Sequence, residues 1–82
     1  GYGLTIDIDA IDPLQAPFVA TPVKNGIDAT ELGTALAQLP HPERLLGMEV
    51  VEFTPRDGEP SDADVACDLI FALVTAVTGT PV

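Results

Sequence analysis

Apolar and polar residues alternate at the beginning of the chain, a period of two that is typical of a β-strand. The apolar positions are Leu4, Ile6 and Ile8, and the polar positions are Thr5, Asp7 and Asp9. Because β-branched and apolar residues dominate residues 2–8, we predict a buried strand there. Residues 9–27 hold three prolines and a glycine with no sustained period, which predicts a long ordered loop of the kind that usually has a function.

A helix and a second strand are expected next. Asp28 and Glu31, three residues apart, are typical of a helix start, because an aspartate side chain can accept the free backbone N–H groups there. We expect this helix to run to about Leu39, since two prolines follow it. The mostly apolar residues 45–53 then predict a second buried strand.

The last predicted element is a helix over residues 61–78, with Ser61 as its N-cap. Apolar residues recur along it at helical spacing, at Val65, Leu69, Ala72, Leu73 and Ala76. Further apolar residues widen this stripe almost all round, so the helix should be covered on more than one side. Cys67, the single cysteine, falls in the same pattern and is interpreted as a core residue. Gly79 and Pro81 are expected to end the helix.

The order strand, helix, strand, helix predicts an α/β fold with a parallel sheet and a right-handed crossover. Two strands alone cannot cover such apolar helices. The chain also begins with Gly1 and an apolar stretch rather than with Met. We therefore expect residues 1–82 to be the C-terminal portion of a single domain. They would form the βαβα part of a three-layer α/β/α sandwich whose N-terminal portion precedes Gly1.

Composition narrows the range of partners. Thirteen acidic residues against three basic ones give a formal net charge of -10, which argues against nucleic acid and favours cationic ligands. The longest apolar run, residues 69–77, is interrupted by Thr75 and is shorter than the roughly 20 residues that span a bilayer, so no membrane segment is expected. A single cysteine excludes an internal disulfide and fits a reducing, cytoplasmic setting.

Asp7 and Asp9 form an Asp-x-Asp motif at the end of the first predicted strand. Residues two apart on a strand point to the same face, and open α/β sheets bind ligands at the carboxyl ends of their strands. Two carboxylates held together repel each other, and a divalent cation such as magnesium or manganese would relieve that repulsion. Alternatively, the pair caps a turn or faces solvent, because so short a motif is common.

Longer motifs surround this pair. Residues 5–13 read Thr-Ile-Asp-Ile-Asp-Ala-Ile-Asp-Pro, with Ala-Pro at 16–17, Thr-Pro at 21–22 and glycine at 26. Residues 49–55 read Glu-Val-Val-Glu-Phe-Thr-Pro. These segments resemble the Ser-x-Asp-x-Asp-x-x-Asp-Pro and Asp-x-x-Glu-x-Asn-Pro motifs of the arginase and agmatinase (ureohydrolase) family, in the same order and with a helix between them. The resemblance covers nearly the whole chain.

The resemblance implies that the whole protein is a manganese-dependent amidinohydrolase of arginine metabolism, which hydrolyses a C–N bond of a guanidino or formimino compound and releases urea from a guanidino substrate. Asp7 would bridge two manganese ions and take part in catalysis, and Asp9 would be a ligand of one ion. Glu52 would bind the guanidinium group of a small cationic substrate and act in catalysis, with Thr21 near the substrate. Members of the family are commonly trimers or hexamers, so a cytoplasmic homo-oligomer is expected.

The chain departs from the family pattern at several positions. Phe18 and Ala20 stand where the family prefers glycine or another small residue, and Lys24 and Asn25 replace part of a paired-glycine turn. The family's first metal motifs, a histidine and an Asp-x-His-x-Asp segment, do not occur in these residues, and His41, between two prolines, is no substitute. We therefore expect the 82-residue chain by itself to be inactive.

Two other interpretations are open at this point. A haloacid-dehalogenase-like, magnesium-dependent phosphotransferase also begins with an apolar strand and Asp-x-Asp, but Ile11 stands where that class has Thr or Val. The non-enzymatic alternative is a catalytically inert structural fragment with half a metal site. Titration with manganese distinguishes it, because half a site should bind the ion weakly or not at all.

Overall fold

The computed structural model describes residues 1–79, and its strands and helices alternate in the predicted order. The strands are β1 (Tyr2–Asp7) and β2 (Leu45–Val51), and the helices are α1 (Ala29–Leu36) and α2 (Asp62–Thr78). Short 3-10 turns lie at Ile8–Ala10, directly after β1, and at Pro42–Arg44, directly before β2. The two strands pair in parallel, which confirms the predicted α/β fold.

The sheet turns one face to the core and leaves the other exposed. Its register sets Thr5 opposite Glu49 and Asp7 opposite Val51. The core side carries Leu4, Ile6, Met48 and Val50. Successive residues of a strand point to opposite faces, so Thr5 and Glu49 share the exposed side, where the Thr5 hydroxyl donates to Glu49 Oε1 at 3.1 Å. The helices therefore pack against a single face of the sheet within residues 1–79.

Much of the core comes from the segment between β1 and α1, residues 8–28, which we call the β1–α1 loop. Ten apolar side chains are buried among residues 1–79, and five of them belong to this loop: Ile8, Ile11, Ala16, Phe18 and Val19. Its end returns to its beginning, since Ile27 N–H donates to the Ala10 carbonyl at 2.8 Å and Asp12 N–H to the Ile27 carbonyl at 2.9 Å. Gly26 permits this approach, because a Cβ there would lie 2.6 Å from the Ala10 oxygen.

Polar side chains join the β1–α1 loop to α1. Gln15 Oε1 accepts the N–H of Ala29 at 2.7 Å, and Gln15 Nε2 donates to Asp28 Oδ1 at 3.0 Å. The other carboxylate oxygen of Asp28 accepts the N–H of Glu31 at 3.0 Å, which confirms the predicted start of the helix. The two contacts together satisfy N–H groups of the first turn of α1 and fix the direction in which it leaves the loop.

Two predicted element ends are wrong. Helix α1 ends at Leu36 rather than at about Leu39, because the chain tightens into 3-10-type hydrogen bonds after it. Strand β2 ends at Val51 rather than at residue 53, because Glu52 has a φ of 73°. That is the left-handed region, which does not continue an extended strand.

The start of α2 also differs from the prediction. Ser61 makes no capping bond through its side chain, because its φ and ψ of -70° and -13° are already helical, whereas an N-cap residue is usually extended. The helix begins at Asp62 instead. At the other end, Gly79 adopts a φ of 69° and donates to the Thr75 carbonyl at 2.8 Å, a glycine C-cap. Pro81, which was expected to help end the helix, lies outside the described residues.

The buried side of α2 is shifted from the predicted stripe. Its buried apolar residues are Ala66, Leu73 and Val77, with Leu69 and Ala76 packed beside them. Val65, Cys67 and Ala72 are exposed, so the interpretation of Cys67 as a core residue is wrong. Each of these exposed residues is next to a buried position in the sequence or one helical turn away from it. A helix that is apolar almost all round has no hydrophobic period that distinguishes its buried face from its exposed face. Neither helix within residues 1–79 is both long enough and apolar enough to cross a membrane.

Candidate metal and substrate site

The candidate site residues gather where the two strands end. Asp7 is the last residue of β1 and lies opposite Val51, the last residue of β2. Glu52 follows Val51 directly, and Asp9 lies two residues beyond the end of β1. Neighbouring strands are about 4.8 Å apart and these two run parallel, so both strand ends contribute to one edge of the sheet.

Asp7 ends the strand with a turn. Its Oδ1 accepts the backbone N–H of Asp9 at 2.9 Å and so caps the 3-10 turn Ile8–Ala10. The expectation that Asp9 continues the strand and points to the same face by alternation is therefore wrong. The two carboxylates are instead linked through this turn, and the capping alternative holds for one oxygen of Asp7. Asp7 is exposed.

Asp9 has one oxygen bound and one unpaired. Its Oδ2 accepts a hydrogen bond from the Thr21 hydroxyl at 2.6 Å. Its Oδ1 is buried and has no hydrogen-bond partner within residues 1–79. A buried polar atom without a partner is costly, the more so on a carboxylate, and a hard divalent cation is the kind of group that satisfies it. The donor set of Asp7 and Asp9 therefore fits a manganese or magnesium ion.

Thr21 has a contact that sequence reasoning did not find. Its hydroxyl is engaged with Asp9 Oδ2, so it holds the carboxylate from the side away from the unpaired oxygen. The contact joins two residues of the β1–α1 loop that are 12 positions apart in the chain. The expected position of Thr21 near the substrate stays a prediction. The hydrogen bond to Asp9 is a separate contact that the sequence did not predict.

Glu52 is exposed and sits in a strained backbone conformation. A φ of 73° in a residue with a side chain costs about 1–3 kcal/mol and persists only where the surroundings fix it. Two contacts follow directly in the chain. The Phe53 ring meets the Phe18 ring edge to face, with centroids 5.5 Å apart, and Thr54 N–H donates to the Phe18 carbonyl at 2.8 Å.

Farther along, an ion pair closes the segment of residues 52–61, which we call the β2–α2 loop. The guanidinium of Arg56 binds both carboxylate oxygens of Asp62, at 2.7 and 3.1 Å, and the Arg56 backbone N–H adds a third bond at 2.8 Å. Only 2% of Asp62 is exposed. The side-chain and backbone hydrogen bonds from Arg56 hold the pKa of Asp62 below its ordinary value of 3.8. The same pair raises the pKa of Arg56.

The described part of the chain does not assemble a complete metal site. No group of three or more His, Cys, Asp or Glu side chains is arranged to hold an ion within residues 1–79. His41 lies elsewhere, exposed in the turn before β2, with its ring 3.3 Å from the carboxylate of Glu43. Asp7 and Asp9 are thus a pair of potential ligands at the sheet edge.

The sequence profile of the arginase family matches residues 1–75. The chain belongs to the arginase family. Putative agmatinase 1 of Schizosaccharomyces pombe is 36% identical over 80 residues, which cover 96% of this chain and 20% of that protein. Arginase of Brevibacillus brevis is 39% identical over 80 residues, covering 96% of this chain and 26% of that enzyme.

The solved arginases share the fold. The arginase of Bacillus caldovelox superposes with a TM-score of 0.74 at 33% identity, over 98% of this chain and 26% of that one. The predicted arginase-like α/β architecture is therefore confirmed. The chain spans between a fifth and about a quarter of the length of the relatives named here.

Proposed function

We propose that the chain is the C-terminal portion of the catalytic domain of a manganese-dependent amidinohydrolase, which cleaves a C–N bond and releases urea from a guanidino compound or formamide from a formimino compound. Membership of the arginase family supports the reaction class. The observation that carries the proposal is the buried, unpaired Oδ1 of Asp9 beside Asp7, at the sheet edge where Glu52 follows β2.

In this proposal Asp7 and Asp9 are two ligands of a two-ion site. Manganese commonly takes about six ligands, so further groups must come from outside residues 1–79. When bound, the ions supply a water of lowered pKa, which is a nucleophile near neutral pH. Asp7 has one oxygen engaged in the turn, and its carboxylate would be shared by the two ions. Thr21 holds Asp9 through Oδ2, which would leave Oδ1 available to a metal ion.

Glu52 binds the substrate. The Glu52 side chain is exposed, and its carboxylate can accept two parallel hydrogen bonds from a planar guanidinium. Holding the cation there would bring its central carbon into reach of the nucleophile. Hydrolysis would form a C–O bond to that carbon and break its C–N bond, and the amine would leave once its nitrogen has taken up a proton. The acidic balance of the chain, a net charge of -10, attracts such a cation and repels phosphate backbones.

The metal assignment is tested by alanine substitution in the complete protein. Asp7→Ala should abolish urea release, and Asp9→Ala should lower manganese occupancy and activity by on the order of 10- to 100-fold or more. Asp68→Ala, which removes an exposed carboxylate of α2, is the matched control and should change neither. Metal content is measured by emission spectroscopy. Two ions per subunit in both Asp7→Ala and Asp9→Ala would show that these residues are not ligands.

The substrate assignment needs a different readout. Glu52→Gln keeps the shape of the side chain and removes its charge. Substrate binding should weaken by about 2–5 kcal/mol, the cost of breaking one side of a charge pair that is buried when the substrate is bound. Manganese content should stay unchanged. Glu59→Gln, an exposed glutamate of the same loop, serves as the control. Loss of manganese with unchanged substrate affinity would instead identify Glu52 as a metal ligand.

The proposal also covers the chain alone and the assembly of the complete protein. Because the chain spans about a quarter of the arginases it resembles, the 82-residue polypeptide should release no urea with manganese present. Urea release above a metal-free control would contradict this.

The complete protein is proposed to be a cytoplasmic homo-oligomer, a trimer or hexamer. Analytical ultracentrifugation tests that stoichiometry, and a monomer would refute it.

A further inference from the structure

We propose that Phe18 is a positioning residue for Glu52, and that its ring fixes the direction in which the Glu52 carboxylate meets a cationic substrate. This inference rests on the proposed role of Glu52 and adds a residue of the β1–α1 loop to it. Phe18 is fully buried, although it lies in a loop between prolines. Its ring and its carbonyl also contact the chain beyond β2.

The left-handed conformation of Glu52 decides where its side chain points. In a continued strand, residue 52 would follow Val50 by alternation and turn toward the face that the helices cover. The φ of 73° takes Glu52 out of that alternation, and its side chain is exposed. The direction in which the Glu52 side chain leaves the backbone therefore depends on this backbone angle.

The chain is fixed on both sides of Glu52. On one side, Val51 is held opposite Asp7 by the strand pairing. On the other side, the Phe18 carbonyl accepts the N–H of Thr54 at 2.8 Å, and the Phe18 ring packs against Phe53 with centroids 5.5 Å apart and planes at 64°. If the second support is lost, residue 52 can relax to a negative φ, which residues with side chains prefer. The carboxylate then turns away from the substrate.

The ring contact is the part of this support that mutation can remove, since the backbone bond does not depend on the side chain. Phe18→Leu keeps an apolar side chain in the buried position and removes the edge-to-face contact. In the manganese-loaded complete protein we expect KM to rise on the order of tenfold for whichever of arginine and agmatine is hydrolysed. The manganese content should not change. Phe71→Leu, the same substitution at an exposed position of α2, should leave KM unaltered.

A double-mutant cycle separates positioning from a general loosening of the fold. If Phe18 acts through the Glu52 carboxylate, Phe18→Leu should raise KM in the wild-type background and have almost no further effect in Glu52→Gln. Phe53→Leu removes the other ring from a position that is 40% exposed, and so gives a second arm if Phe18→Leu folds poorly. It should show the same loss of effect in Glu52→Gln.

The outcomes are distinguishable. Equal rises of KM in both backgrounds, or no rise in either variant while Glu52→Gln weakens binding, would overturn the positioning role and leave the proposed function of Glu52 intact. An unchanged KM in Glu52→Gln itself would refute both the substrate role of Glu52 and the inference built on it. A crystal structure of Phe18→Leu that retains a φ near 73° at residue 52 would also overturn the inference.

Discussion

Two loops leave the same edge of the sheet, and they are built in opposite ways. The β1–α1 loop contributes Ile8, Ile11, Ala16, Phe18 and Val19 to the core. In the β2–α2 loop every residue from 52 to 61 is exposed, and the loop is closed by the ion pair between Arg56 and Asp62. The β1–α1 loop is thus a packed extension of the domain core, whereas the β2–α2 loop lies on the surface.

The difference shows how candidate groups on a loop are held in place. Asp9 and Thr21 lie on the packed loop, and their contact at 2.6 Å joins two parts of it. Glu52 lies on the exposed β2–α2 loop. The two residues after it contact Phe18, so the β1–α1 loop supports both Asp9 and the segment that carries Glu52. We therefore expect mutations that loosen the β1–α1 loop to affect both loops, and mutations in the β2–α2 loop to have local effects.

The largest expected loss of stability comes from a substitution in the β1–α1 loop. Ile11 is fully buried, and Ile11→Ala should lower the free energy of unfolding by about 2–5 kcal/mol, because it leaves a cavity. Leu14→Ala in the same loop removes a side chain that is 92% exposed and should change it by no more than about 0.5 kcal/mol. Urea denaturation measures both. Equal effects would mean that the loop does not have a core of its own.

A comparison of glycines should give the next largest effect. A Cβ at Gly26 would lie 2.6 Å from the Ala10 oxygen and 2.9 Å from the Ile11 carbonyl carbon, both backbone atoms that cannot move independently. Gly26→Ala should therefore cost about 1–3 kcal/mol. Gly58 in the β2–α2 loop has open space around it, and its φ of 74° alone should make Gly58→Ala cost about 1 kcal/mol. Thermal unfolding that ranks Gly58→Ala as the more damaging would reverse the comparison.

Gln15 should show a smaller effect. Its side chain accepts the N–H of Ala29 and donates to Asp28, so Gln15→Ala removes part of the capping of α1 and should cost about 1 kcal/mol. Gln38→Ala, at an exposed position beyond the end of α1, is the matched control. Amide hydrogen exchange would show the loss in the first turn of α1. Faster exchange throughout the protein in Gln15→Ala would contradict a local role.

The stability that the Arg56–Asp62 ion pair gives to the β2–α2 loop should decrease in acid. The pKa of Asp62 lies below its ordinary value of 3.8, so the unfolded chain takes up this proton more readily than the folded protein. The stability from the pair is therefore complete above about pH 4 and is lost as the pH falls through the folded pKa. Asp62→Asn should remove this part of the pH dependence, which denaturation between about pH 5 and 2 measures. An unchanged acid limb would show that the pair does not contribute to it.

Sequence patterns predicted the order of the elements because each carries a local period or cap, as in the alternation of residues 4–9 or the Asp28 cap. They could not predict that Glu52 leaves the strand, because residues 45–53 are apolar enough to continue it. Nor does any local rule relate Asp9 to Thr21 or Phe18 to Phe53. Those pairs depend on how a long loop folds back, which is a property of tertiary packing. The resemblance to a family named the candidate residues without giving these contacts.

The parallel pairing of β1 and β2 has a consequence for the time course of folding. The register joins Tyr2 to Leu45, so the entire β1–α1 loop and α1 must be traversed before the first bond between strands can form. Closing so long a connection is slow unless the intervening chain is already collapsed. We therefore expect Ile11→Val to slow refolding, and Arg56→Lys, beyond the paired strands, to speed unfolding instead. Stopped-flow rates as a function of urea measure both, and an Ile11→Val variant that refolds at the wild-type rate would show that the loop becomes ordered only after the strands have met.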